Sequence, residues 1–329
     1  MPANLTPEYK KAEAEYKTAT TADEKMFALE HMMATIPRHK GTEKLQADIK
    51  KRISRLREGE DKSGGKRADL YAVAREGAAQ AILLGAPNCG KSSLVRCLTN
   101  AKPEVAEYPF TTTRTMPGMM EFEDIKIQLV DMPPIADGIL EPFHKNLARS
   151  TDLVIVVIDL GANDPAADFI SYRDALAAAK IEIVPDVPET VTEYGVKQRP
   201  AMILANKYDF DEGDVLLDEF RAKVGGSGFA VVPVSTLTGD GVEDVRRAVF
   251  DSLGILRVYS KIPGRPADMA SPFILHKGGT VMDLARIVHK DFAESLRYAR
   301  IWGAEHFDGQ MVQRDYQLRD RDILELHML

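Results

Sequence analysis

The stretch Ala81-Ile82-Leu83-Leu84-Gly85-Ala86-Pro87-Asn88-Cys89-Gly90-Lys91-Ser92-Ser93-Leu94 constrains this chain more than any other. An apolar run, a glycine-bounded loop and a helix-like segment follow one another, and Gly85 to Ser92 fit G-x-x-x-x-G-K-[ST]. A loop that wraps a phosphate must aim several backbone N–H groups inward, and glycine permits that path. The helix beginning at the loop adds its unpaired N–H groups and positive dipole end. Gly85, Pro87, Asn88, Cys89, Gly90 and Ser93 shape the cradle. Lys91 carries a charge toward the β- and γ-phosphates, and Ser92 offers a hydroxyl to Mg²⁺. A chance match in a turn would lack the strand before and the helix after. The loop specifies a nucleoside triphosphate but not which one.

Around this loop the 329 residues divide into three stretches. Residues 1–66 read as helical, with Thr6-Pro7-Glu8 as a start signal and Leu45, Ile49, Ile53 and Leu56 at helical spacing. Arg38 to Arg57 is rich in Lys and Arg; a solvated helix face and an RNA-facing one both fit it. Residues 67–254 alternate apolar strands with helices, the pattern of an α/β unit. Strands are expected at Ala81–Leu84, Gly118–Phe122, Ile125–Val130, Asp152–Leu160, Ala201–Ala205 and Phe229–Val234, with Pro185–Pro200 as a surface excursion. Residues 255–329 read as a small α+β unit of β-grasp type. The net charge of −7 excludes a polycation that coats nucleic acid with its whole surface. Two cysteines, no C-x-x-C pair, no apolar run approaching the roughly 18 residues of a bilayer span and no basic-then-apolar leader point to a cytoplasmic protein without a membrane partner.

Three downstream segments narrow the nucleotide. Asp131 ends an apolar strand, where α/β sheets bind ligands, and is expected to orient a water on Mg²⁺. Asn206-Lys207-Tyr208-Asp209 is N-K-x-D behind a second buried strand. The Asp209 carboxylate can accept from both N1–H and the exocyclic amine of guanine, a pair of donors adenine lacks on that edge. Lys207 can lay its stem along the base, and Asn206 can tie back to the phosphate loop. Ser235-Thr236 follow the next strand, where a backbone N–H would meet guanine O6. Thr112, with Thr111 as the second choice, can place a hydroxyl on Mg²⁺ when a γ-phosphate is present.

Taken together, Gly85 to Ser93, Tyr108-Pro109-Phe110-Thr111-Thr112, Asp131-Met132-Pro133 and Asn206-Lys207-Tyr208-Asp209 resemble the Obg-family translation-factor GTPases, and within them the developmentally regulated GTP-binding branch. Gly278 to Ala285, Tyr298 to Gly303 and Asp320 to Ile323 resemble a TGS domain. The resemblance implies a P-loop GTPase domain with a mixed, mostly parallel sheet, an N-terminal helical hairpin and a C-terminal β-grasp TGS domain. It implies GTP and GDP as ligands, Mg²⁺ as cofactor, slow hydrolysis, and ribosomes or RNA as partners through the basic hairpin and the TGS domain, with an accessory protein as a further partner. It also implies that Asn88 ligates K⁺ beside the phosphates. Trp302 and His289 are expected in the core of the small domain.

The pattern breaks after Asp131. Pro134 stands where the family has the glycine of D-x-P-G, whose N–H contacts the γ-phosphate; proline has none to give. Ile135 stands where Ras-like GTPases carry a water-orienting glutamine. Two functions follow. One is a slow, K⁺-stimulated GTPase switch, with Asn88, Lys91 and Thr112 as the catalytic set. The other is a GTP-binding adaptor for RNA or the ribosome with negligible hydrolysis.

Overall fold

The computed structural model describes residues 73–99, 116–135, 140–187, 196–303 and 307–328, together with Tyr9, Tyr16 and parts of 28–51. The chain forms two compact units, Met1–Leu70 and Tyr71–Leu329. In the first, the described residues between 28 and 51 are mostly helical. Tyr9, Leu29, Met32, Ile36 and Ile49 bury together, as the apolar spacing requires. Lys50 and Lys51 are exposed; the other cations between Arg38 and Arg57 lie outside the described residues.

The second unit holds two sheets. The first contains β1 (Ala79–Leu84), β2 (Met116–Phe122), β3 (Ile125–Asp131), β4 (Leu153–Asp159), β5 (Ile181–Val184), β6 (Lys197–Asn206) and β7 (Val231–Val234), in the order β2-β3-β1-β4-β6-β5 with β7 also on β6. β2 is antiparallel to β3; every other pair is parallel. β1 and most of β4 and β6 are buried along their length because helices cover both faces. Those helices are α1 (Lys91–Leu98), α2 (Pro142–Ser150), α3 (Pro165–Ala178), α4 (Gly213–Val224) and α5 (Val242–Leu253). The α3 start shows the local logic: the Asp164 carboxylate accepts from the Ala167 N–H, and Pro165 occupies the position where no donor is needed.

The stretch expected as a surface excursion is corrected in part. β6 begins at Lys197 and takes in Pro200, while β5, not expected at all, pairs with residues 197–200. Pro200 is tolerated where β5 ends and the ladder to β4 has not yet begun, at Ala201.

The second sheet runs β11-β10-β12-β8-β9, from β8 (Ile255–Lys261), β9 (Ala267–His276), β10 (Leu296–Trp302), β11 (Gln310–Val312) and β12 (Asp322–Met328). One face packs on α6 (Val281–Val288), which Thr280 and Asp283 start with a reciprocal capping box. The short α7 (Lys290–Ser295) follows. Neither aromatic side chain expected in this core is there. His289 is exposed and caps α7 through Nδ1, which accepts from the Asp291 N–H. Trp302 lies on the opposite face, with the Lys261 ammonium 4.1 Å from its ring centre. The alternation along β10 puts Ala299 and Ile301 inward, so Trp302 must point away from them.

Candidate nucleotide site

The strand ends of the first sheet gather the residues singled out in the sequence. β1 delivers Gly85, whose φ is 159° and whose missing side chain would sit 2.5 Å from the Val157 carbonyl oxygen. Asn88 follows at φ 60° and exposed, then Gly90 at φ 98°. A Cβ on Gly90 would lie 2.0 Å from Asn206 Nδ2, so both the backbone angle and the space demand glycine.

That approach has a purpose: Asn206 Nδ2 donates to the Cys89 carbonyl at 2.8 Å. The end of β6 is thereby tied to the phosphate loop across 117 residues of chain. Thr236 reaches the same place, its Oγ1 3.9 Å from where a Gly90 Cβ would be. Lys91 is buried and folded back, with Nζ donating to the carbonyls of Gly85 at 3.0 Å and Ala86 at 2.7 Å. Both acceptors are loop carbonyls that an incoming phosphate can replace. Burial pushes the Cys89 thiol up, outweighing the nearby Lys91 charge; the group stays a thiol, shaping the loop rather than reacting.

The Ser92 hydroxyl donates to Asp131 Oδ2 at 2.5 Å. The other oxygen, Oδ1, is buried without a hydrogen-bond partner. Burial raises the Asp131 carboxyl against the opposing influence of Ser92 and Lys91. A hydroxyl, a carboxylate and an unmatched buried oxygen fit a hydrated divalent cation, which would offset that desolvation. Thr112 and Thr111 lie outside the described residues.

The N-K-x-D segment and Ser235 follow the ends of β6 and β7. Lys207 adopts φ 64°, and its ammonium donates to Asp159 Oδ2 at 2.5 Å. Asp209 is exposed, and its Oδ1 accepts from the Ser235 hydroxyl at 2.6 Å. Ser235 Oγ in turn accepts from the N–H groups of Leu237 and Thr238 at 3.2 and 3.1 Å. Its hydroxyl thus holds the Asp209 carboxylate, rather than standing free for a ligand.

The segment after Asp131 is pinned. Pro133 presents its carbonyl to His144 Nε2 at 2.9 Å, while Nδ1 accepts from the Glu141 N–H at 3.1 Å. Nδ1 as acceptor leaves the proton on Nε2, and burial lowers the His144 pKa, so the ring is neutral. The Ile135 N–H, the first after Pro134, donates to the Gly85 carbonyl at 3.1 Å. The Ile135 side chain is buried in the core. His144, Asp159 and Tyr172, whose hydroxyl meets the Ala86 backbone, were not singled out in the sequence. Each reaches the site from a helix or a neighbouring strand, and no local spacing marks it.

Comparison with known proteins agrees with this geometry. The family model described as a 50S ribosome-binding GTPase matches residues 80–207, and the TGS domain model matches residues 256–328. A GTP-binding protein of Methanocaldococcus jannaschii is 29% identical, over 92% of this chain and 92% of its own. Developmentally-regulated G-protein 2 of Arabidopsis thaliana is 26% identical over 92% and 90%. Ribosome-interacting GTPase 1 of Saccharomyces cerevisiae is 24% identical over 93% and 99%. Among solved structures, a GTP-binding protein of Pyrococcus horikoshii shares the fold, with a TM-score of 0.50 and 17% identity, covering 76% of this chain and all of its own.

Fold and site together define a P-loop GTPase that carries a TGS domain. Over most of its length the chain is similar to proteins named developmentally-regulated G-proteins. Among the described residues, no helix is long and apolar enough to cross a membrane.

Proposed function

We propose that this protein binds GTP with Mg²⁺, hydrolyses it slowly and uses the cycle in association with the ribosome. The observation that carries the reading is the bond from Asn206 to the Cys89 carbonyl. It holds a guanine-reading motif at a fixed distance from a phosphate cradle. In this reading Gly85 and Pro87 to Ser93 bind the phosphates, and Asp209 accepts from the guanine edge. Lys207 flanks the base, and Ser235 and Thr236 close the pocket. Ser92 ligates Mg²⁺, with Asp131 holding one of its waters and Thr112 completing the set. The cation supplies charge neutralisation on the β- and γ-phosphates. The Asn88 oxygen, exposed at the mouth of the loop, is the candidate K⁺ ligand. A K⁺ there would play the part of an arginine finger. Ribosome association draws on the name of the yeast relative and on the ribosome-binding description of the matching family model.

A second reading, a GTP-stabilised adaptor with negligible turnover, is favoured by one feature. Pro134 has no N–H, and the next one, on Ile135, is committed to Gly85. A single-turnover assay with GTP and Mg²⁺ in KCl or NaCl separates the two. Faster hydrolysis in KCl supports the switch. Equal rates reject the K⁺ role, and no hydrolysis in either salt leaves the adaptor. Competition by ATP at equal concentration would reject the guanine assignment.

A further inference from the structure

β4 ends on Asp159, a residue that the phosphate and guanine motifs do not include. The parallel register sets Asp159 directly beside Asn206. Its two oxygens are divided. Oδ1 accepts from the Gly161 N–H at 3.0 Å, which fixes the carboxylate on its own turn. Oδ2 takes the Lys207 ammonium at 2.5 Å. Two further features lock this corner. The Leu160 N–H donates to the Asn206 carbonyl at 3.1 Å. The Phe210 ring lies so close over Gly161 that a Cβ there would sit 2.6 Å from it. Lys207 also holds a left-handed backbone at φ 64°, which a lysine adopts only when its surroundings impose it.

We propose that Asp159 is a positioning residue for the guanine base. It acts through Lys207: by fixing the ammonium, it holds the four-carbon stem as a ready-made wall beside the base that Asp209 recognises. An unheld lysine would have to surrender its rotamer freedom on each binding event. Because the wall touches the face of the base and not its edge, Asp159 sets residence time, while Asp209 sets identity. The inference rests on the guanine assignment made above.

The alternative is an ion pair of no consequence, since Lys207 is 38% exposed and surface pairs contribute little. Release of a fluorescent GDP analogue from the full chain, with Mg²⁺, separates the two. Asp159→Ala should speed release about tenfold, the kinetic equivalent of most of that rotamer cost. Asp159→Asn keeps one acceptor oxygen for the Gly161 N–H but turns its amide NH2 toward the ammonium, so release should speed nearly as much as in Asp159→Ala while the turn stays intact. In a Lys207→Ala background, Asp159→Ala should add nothing, because the group it acts through is gone. The melting temperature of the nucleotide-free protein should be unchanged by Asp159→Asn. Release within twofold of the parent for Asp159→Ala, or effects that multiply in the double variant, would overturn the proposal. A parent chain that binds GDP no better than ADP would instead remove the guanine assignment and this inference with it.

Discussion

Arg257 Nη1 donates to Asp124 Oδ1 at 2.8 Å, joining the first strand of the C-terminal sheet to the turn between β2 and β3. The guanidinium is 3% exposed, and it is shared out. Glu123 takes Nη1 as well, and Asp320 takes Nε at 3.1 Å and Nη2 at 2.6 Å. Its cationic face lies 4.8 Å from the centre of the Phe250 ring, which stacks on Phe122. Tyr259 donates its hydroxyl to Asp124, and Arg321 pairs with Glu123. Burial alone would lower the Arg257 pKa; the hydrogen bonds it donates to Asp320, Glu123 and Asp124 more than reverse it.

Removing that guanidinium leaves carboxylates facing one another across a half-buried joint. Arg257→Ala should destabilise the second unit by about 2–4 kcal/mol, read as a lowered urea midpoint. Arg257→Lys keeps the charge and loses the fork, and should fall between the two.

The same cluster sets an acid limb. Hydrogen bonds from Arg257 and Arg321 lower Glu123. Burial raises Asp124, but bonds from Tyr259 and Arg257 outweigh it and leave it lowered. Groups lowered on folding contribute stability above their unfolded pKa and lose it as pH falls through the folded one. Stability should therefore decline on acidification from the ordinary carboxylate range downward. In Arg257→Ala that decline should be shallower, as seen in urea midpoints taken between about pH 6 and pH 3.

Asp209→Asn should exchange guanine for xanthine. An amide oxygen still accepts from N1–H, and the new amide N–H meets the xanthine carbonyl where guanine had its amine. GTP affinity should fall on the order of 100-fold by titration calorimetry, and xanthosine triphosphate should gain.

In the reading proposed above, Asp131 holds a water of the Mg²⁺. Because burial raises its carboxyl, protons compete with Mg²⁺ at a higher pH than for an exposed aspartate. The Mg²⁺ requirement for GTP binding should rise as pH falls through that range. Asp131→Asn should remove the pH dependence and raise the requirement by roughly tenfold or more.

Pro134→Gly supplies the N–H that position 134 lacks, and loosens a backbone that His144 and Gly85 hold on either side. Single-turnover hydrolysis should quicken at least about fivefold, since a donor to developing charge is worth that and more. An unchanged rate would mean that the missing N–H is not what limits turnover.

The strand-end loops Gly85 to Ser92 and Asn206 to Asp209 were legible because each is a local segment following a buried strand. The two-sheet architecture was legible from the alternation of apolar runs. What escaped was set by distance in the chain. β5 is four residues long and owes its place to pairing with residues 197–200, which the prolines disguised. Trp302 and His289 were expected in the core of the small domain, yet strand alternation and a cap turn them outward. Asp159, His144 and Arg257 carry no motif. Their partners lie 48, 11 and more than 60 residues away, and only the folded sheet brings them together.

Ile255 opens β8, yet it packs among Val249, Phe250 and Leu253 in the core of the first sheet. Between α5 and β8 there is only Gly254, in the left-handed conformation at φ 57°. A fragment truncated at this seam would shed a hydrophobic plug and leave Phe122 and Phe250 wet. Protease trimming should thus find no foothold there, and chimaeras that exchange the C-terminal part must carry all of β8 across with it.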